Sequence, residues 1–229
     1  MGLCAFPVFA DSFVNGGFES GSFDSWTLGG GSYYGYYTPS GDPGKSAIVT
    51  AGTDPRTGGN LNMVYDGTYS ARVNNYDYWY HYSTISQTVA NYTDQFIYFA
   101  FAAVIEDPGH SNPGHVRITL TADNTAEMIY NWYIDYYSHP VDATWHTYGG
   151  WGYTDWIVAE LDVSEYSGQD LTITVLASDC GAGGHGGYAY FDGFGGEAPT
   201  GSPTVPEPST MILLGSGLLA AFAFARRKR

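Results

Sequence analysis

Residues 95–105, QFIYFAFAAVI, are apolar on both phases of a two-residue period. A strand of that kind offers no face to water, so it has to run through a sheet that is covered on both sides. Elsewhere the alternation is one-sided: Tyr69/Ala71/Val73, Val116/Ile118/Leu120, and Leu171/Ile173/Val175 interleaved with Thr172/Thr174. Between these runs lie SGDPG, EDPGHSNPGH and CGAGGHGG, clusters of the residues that supply turns. No amphipathic helix precedes residue 205. Short strands joined by glycine-rich turns predict an all-β fold, a single jelly-roll β-sandwich of about nine or ten strands over residues 11–195. No internal repeat signals a propeller or a solenoid. Residues 196–204 lack apolar periodicity and read as a linker.

The chain of 229 residues has a net charge of −15 and is 44% hydrophobic, enough apolar material for one sizeable core. Four of its eight basic residues are the terminal Arg226, Arg227, Lys228 and Arg229, which leaves the body only Lys45, Arg56, Arg72 and Arg117. A body so acidic cannot neutralise a run of phosphates, which excludes nucleic acid as a partner. Cations and neutral glycans suit it better.

The two ends differ from the body. At the front, LCAFPVFA closes on Val8-Phe9-Ala10, which reads as the remnant of a signal peptide over residues 1–10, without its basic start. At the back, Thr210 to Ala225 is an uncharged run of 16 residues, about 24 Å as a helix against a hydrocarbon core of about 30 Å. The bases that follow place the C-terminus on the cytoplasmic side and the body outside. Pro206 and Pro208 stop the helix from extending outward. The order of Pro206-Glu207-Pro208, transmembrane run 210–225 and basic tail 226–229 resembles the PEP-CTERM sorting signal of Gram-negative bacteria, here residues 205–229. The resemblance implies membrane anchoring that is at least transient, an exosortase as processing partner, and an exported body associated with the cell surface and exopolysaccharide.

Two stretches of the body also carry a resemblance. VNGGFESGSFDSW, residues 14–26, is similar to the opening strand of galactose-binding-like jelly rolls, including many carbohydrate-binding modules. Residues 156–194 are similar to the closing strands of surface jelly rolls. The resemblance implies a structural calcium ion held by Glu19 and Asp192, with carbonyls from Gly21 and from near Tyr69 or Ser70. Calcium prefers six to eight such oxygens. The alternative is Glu19 as a solvated turn residue and Asp192 capping a backbone amide.

For catalysis, the carboxylate pairs Glu106/Asp107 and Asp162/Glu165 stand in turns, and nothing sets two carboxylates across a cleft as a glycosidase requires. No Gly-x-Ser-x-Gly elbow is present. No residue is assigned a catalytic role. His110, His115 and His185 lie in glycine-rich loops and could meet at a transition metal. Cys4 leaves with the signal peptide, so Cys180 is unpaired and expected to be buried. Aromatics are the clearest binding signal: SYYGYY (32–37), YDYWYHY (76–82), YNWYIDYY (130–137) and WHTYGGWGYTDW (145–156) exceed what a core needs. Adjacent strand residues face opposite ways, so some of these rings are exposed. They either stack on sugar rings or cover a wet sheet face. The candidates for glycan contact are Tyr78, Trp79, Tyr80, Trp132 and Trp151. Three classes remain: an exported non-catalytic glycan binder, an adhesive matrix protein without a specific ligand, and a secreted glycoside hydrolase or lyase.

Overall fold

The computed structural model describes residues 12–139 and 144–201. The expected signal remnant and the sorting tail, with its transmembrane run, lie outside the described residues. Thirteen strands form two antiparallel sheets. The first sheet contains β1 (Thr27–Tyr33), β2 (Tyr37–Pro39), β5 (His81–Tyr92), β7 (His115–Ala122), β8 (Glu127–Asp135) and β12 (Gln169–Ser178). Its order is β2-β1-β5-β12-β7-β8. The second contains β3 (Ala47–Thr50), β4 (Tyr69–Val73), β6 (Phe96–Glu106), β9 (Trp145–Tyr148), β10 (Trp151–Thr154), β11 (Ile157–Asp162) and β13 (Gly187–Gly195). Its order is β3-β4-β13-β6-β10-β9, with β11 also paired to β6.

The jelly-roll sandwich follows from the alternation. Ile85 on β5 pairs with Val175 on β12, which pairs with Ile118 on β7, a continuous apolar row on the inner face. Opposite it stand Ile97, Phe99, Phe101 and Ile105 of β6 and Phe191 of β13, all fully buried. Each large side chain so buried contributes roughly 1.5–3 kcal/mol. The other phase of β6, Ala102 and Val104, is also buried, in a second cluster with Leu61, Trp151, Tyr153, Tyr188 and Tyr190. The two-sided run is therefore a central strand because a segment around residues 51–65 roofs the outer face of its sheet. Asp54 anchors that roof. Its Oδ2 accepts hydrogen bonds from the Tyr188 and Tyr190 hydroxyls, each 2.7 Å, and its Oδ1 accepts from the Arg56 amide at 2.6 Å.

Two expectations are corrected. The strand count exceeds nine or ten because β2, β3, β9 and β10 are too short to show alternation, and because β10 and β11 divide one edge of β6. Thr154 bridges that division, its hydroxyl accepting the Ala103 N–H at 3.0 Å. The stretch 14–26 is not an opening strand but a series of turns. Asn15 and Phe18 have φ of 55° and 59°, outside the strand region. A Cβ on Gly16 would sit 2.0 Å from the Phe194 carbonyl oxygen, which accepts no such neighbour. This segment plugs the end of the sandwich, with Phe18 and Trp26 against Phe194. The described part of the expected linker also packs back on the domain, Gly201 approaching the Tyr65 carbonyl.

Candidate functional site

The loop from β4 to β5, residues 74–80, is held at both ends. Asn74 is buried, its amide donating to Asp179 Oδ1 at 3.0 Å and to the Gly187 carbonyl at 2.9 Å. At the other end the His81 N–H donates to Asp179 Oδ2 at 2.8 Å. Burial pushes the Asp179 carboxyl up to about 7. Burial, with the Lys45 ammonium nearby, holds His81 below its usual range. Between these anchors Trp79 and Tyr80 adopt φ of 106° and 63°, a conformation that costs a bulky L-residue on the order of 1–3 kcal/mol. The strain persists because the neighbours over-determine it. The Trp79 N–H donates to the Gly183 carbonyl at 3.3 Å, and the Tyr80 carbonyl accepts from Tyr33 N–H at 2.6 Å.

The result is a Trp ring projected into solvent, 74% exposed, with Tyr76 and Tyr78 also exposed beside it. Together with Lys45, Arg56, Asp77 and His81 these rings line a cavity of about 420 Å³. Arg56 forms part of its wall, the guanidinium carbon 5.0 Å from the Tyr76 ring centre and 5.2 Å from that of Trp151. Two of the body's four basic residues thus converge on one aromatic cavity in a strongly acidic chain. Flat apolar faces ringed by donors and an acceptor are what a polyhydroxylated ring needs: its C–H face packs on the aromatic, and its hydroxyls bond at the rim.

The structure brings Tyr78 and Trp79 together at this cavity and sets Tyr80 beneath them, its ring against Gly183 and 4.7 Å from that of Tyr34. Two of the expected contact residues are elsewhere. Trp151 is only 3% exposed and lies below Arg56, so it supports the wall and cannot stack on a ligand. Trp132 packs edge-on against Phe101, 4.6 Å between ring centres, at the margin of the main core. Sequence reasoning missed Arg56, Tyr76 and Lys45. Tyr76 lay inside the aromatic run, whereas Arg56 and Lys45 come from other loops and had no signal in sequence.

Of the carboxylate pairs, Asp107 and Asp162 cap local turns and Glu106 joins two loops. Glu106 accepts the Gly186 N–H, Asp107 accepts from Gly109 N–H and the Tyr137 hydroxyl, and Asp162 accepts the Ser164 N–H. Nor do the three histidines meet. His115 turns into the first sheet against Ser178, while His110 and His185 come together with Cys180.

At the opposite end of β13, Glu19 and Asp192 converge on one loop. Glu19 accepts the N–H groups of Thr68 and Tyr69 at 2.9 and 3.0 Å, and Asp192 those of Tyr65 and Asp66 at 3.1 and 3.0 Å. Burial, with the Glu19 charge among lesser causes, raises the Asp192 carboxyl to about 7. Gly21 packs on the Tyr69 ring and donates its N–H to Phe18. Asp192 thus caps backbone amides, as the alternative has it, whereas Glu19 is no merely solvated turn residue but also accepts two amides.

Residues 204–229 are a PEP-CTERM protein-sorting motif. The match takes in Pro206-Glu207-Pro208, the uncharged run and the four terminal bases. The body ahead of this PEP-CTERM tail is similar in fold to solved carbohydrate-binding modules. TmCBM61, solved with beta-1,4-galactotriose, is 14% identical over 81% of this chain and 96% of that one, with a TM-score of 0.48. CBM28, a non-crystalline cellulose specific module, is 14% identical over 82% and 98%, with a TM-score of 0.42. CBM27-1 of Caldicellulosiruptor saccharolyticus, solved with mannohexaose, is 12% identical over 82% and 99%, with a TM-score of 0.42. No curated protein sequence matches the chain. The chain runs toward its PEP-CTERM tail from Gly201, beside Tyr65 and Asp66. Tyr65 and Asp66 bond to Asp192, whereas the aromatic loop is anchored at Gly187, about 17 Å away along β13 at the strand rise per residue.

Proposed function

We propose that the protein is an exported, non-catalytic surface protein that binds glycan at the Tyr76–Tyr78–Trp79 cavity. One observation carries this reading: Trp79 is held in a strained backbone conformation and its ring is exposed, an arrangement that folding alone does not reward. Lys45, Arg56 and Asp77 supply hydroxyl partners at the rim. The commitment of Glu106, Asp107 and Asp162 to backbone N–H groups supports a binding role over hydrolysis. The test is retention of the full chain on the producer's own polysaccharide. Trp79→Ala weakens binding about fivefold, the equivalent of about 1 kcal/mol for one aromatic contact, with an unchanged melting temperature. Equal retention of Trp79→Ala, Tyr78→Ala and wild type would point to the second reading, an adhesive matrix protein. That reading draws on the exposed Tyr34, Tyr36, Tyr137 and Tyr148, which lie outside the cavity.

For the tail, the reading is processing by an exosortase, with residues 210–225 as a transient membrane anchor. Replacing Pro206-Glu207-Pro208 by alanines leaves the chain in the membrane fraction and abolishes its cleavage; cleavage at the wild-type rate would overturn it. We further propose that Glu19 and Asp192 hold a structural calcium ion, for which a pair of hard oxygen donors on one loop is suited. Calorimetry with calcium or a chelator tests this.

A further inference from the structure

His110, Cys180 and His185 stand on two loops that the sheet topology brings side by side, and their ligand atoms all lie within 4.8 Å of one another. Cys180 is fully buried and unpaired, and its Sγ is 3.6 Å from His185 Nδ1. That separation equals the edge between sulfur and nitrogen ligands of a tetrahedral zinc ion, about 3.6 Å from bond lengths near 2.3 and 2.05 Å. His110 adds a second, independent observation. Its Nδ1 lies 2.6 Å from the Ser111 carbonyl, and a carbonyl only accepts, so in the neutral imidazole Nδ1 carries the proton and Nε2 the lone pair. That Nε2 is buried without a hydrogen-bond partner. A lone pair held in this way, with the other nitrogen fixed by a backbone carbonyl, is how metal-ligating imidazoles are oriented.

The Cys180 loop is also built to stay closed. The Cys180 N–H donates to the His185 carbonyl at 2.9 Å, and the Gly183 N–H donates back to the Cys180 carbonyl at 3.0 Å. Next to His185, the Gly186 N–H donates to the Glu106 carboxylate at 3.0 Å, which places a negative charge beside the cluster.

We infer that His110 Nε2, Cys180 Sγ and His185 Nδ1 form a site for one thiophilic transition-metal ion of the zinc class. Thiolate and imidazole together select such an ion over calcium or magnesium. On binding, the Cys180 S–H bond breaks, its proton leaves to solvent, and the sulfur pair forms the bond to the metal; no oxidant is needed. Three protein ligands leave a fourth position for water or a ligand atom. The loop also carries the Gly183 carbonyl that accepts from Trp79 N–H, so the ion would brace the aromatic loop from beneath.

Cobalt(II) is the probe, added to the full chain in a Cys4→Ser background so that Cys180 is the sole thiol. One equivalent of cobalt binds, with a near-ultraviolet sulfur-to-cobalt charge-transfer band, and zinc displaces it stoichiometrically. Cys180→Ser removes the band, and His110→Gln and His185→Gln each weaken binding by at least about 100-fold, beyond what loss of an outer-shell partner does. His146→Gln, whose ring contacts Asp155 instead, leaves the titration unchanged. Absence of a stoichiometric cobalt complex in a folded wild-type chain overturns the inference, as does a complex that survives Cys180→Ser. Copper(I) displacing zinc at equal free concentration would reassign the site to copper.

Discussion

His115 is enclosed by Tyr33, Tyr37 and Tyr133, with ring centres at 4.9 Å for Tyr33 and Tyr133, and is hydrogen-bonded to the Tyr37 hydroxyl and to Ser178 Oγ. Burial depresses its pKa to about 4, against lesser opposing contributions from the Pro113 carbonyl and Asp135, with Arg117 adding slightly to the depression. A histidine whose folded pKa is depressed stabilises the fold above its unfolded pKa, about 6.5, and that stability is lost as pH falls toward 4. Wild type therefore loses up to about 3 kcal/mol from this group between pH 6.5 and 4, and His115→Gln does not. Denaturant titrations at the two pH values check the difference; parallel losses in both proteins would mean that His115 protonates without cost. The sequence grouped His115 with His110 and His185 because all three flank glycine-rich loops. Register separates them: His115 opens β7 directly opposite Ser178 of β12, so its ring is committed to a sheet face, and Cys180, two residues beyond Ser178, takes its place in the cluster.

At the scale of elements, β6 and β13 depend on the segment that roofs them. Asp54 is fully buried and is the shared acceptor of two tyrosine hydroxyls. Burial, first, and the Asp54 charge hold both hydroxyls well above the ordinary tyrosine pKa, so they remain donors at any physiological pH. Asp54→Ala strands both hydroxyls and the Arg56 amide, at a cost of about 3 kcal/mol or more. Tyr188→Phe gives up one bond to a charged acceptor, about 1.5–3 kcal/mol. Because Arg56 follows Asp54 and forms the cavity wall, Asp54→Ala also weakens glycan retention, and Tyr188→Phe weakens it less. Equal stability of Asp54→Ala and wild type would show that the roof is held by its apolar contacts alone. β6 itself was legible from its two-phase apolar run, and β4, β7 and β12 from one-phase alternation. The roof was not, since residues 51–65 carry no periodicity and act through single side chains.

Over the whole molecule, the chain's first and last described segments are joined twice, through the hydrogen bond from Phe194 N–H to the Gly16 carbonyl at 3.0 Å and through the loop 65–69 that Glu19 and Asp192 both clasp. The proposed calcium ion, bound there, would tie both ends to the body. With calcium at about 100 times its dissociation constant the native state gains about 2.7 kcal/mol, which in a domain of this size raises the melting temperature by roughly 5–10 °C. Glu19→Gln and Asp192→Asn each abolish that rise. Equal melting temperatures of wild type in calcium and in chelator remove the calcium claim and leave the fold untouched. The same two-ended layout sets the aromatic cavity at the end of β13 away from Gly201, where the chain leaves toward the sorting tail.

By itself the sequence determined the fold class, the central strand, the sorting tail and the loop that carries Tyr76, Tyr78 and Trp79, because each is written in residues that are neighbours along the chain. Only the tertiary structure decided which rings are free and what surrounds them. Trp151 and Trp79 look alike in sequence, yet one is covered by Arg56 and the other is turned outward by a positive φ that Gly183 and Tyr33 sustain. Likewise the partner of His110 and His185 was set by strand pairing between β7 and β12, separated by some 50 residues of chain. Contacts of that kind follow from the closure of two sheets on one another, and no local pattern records them.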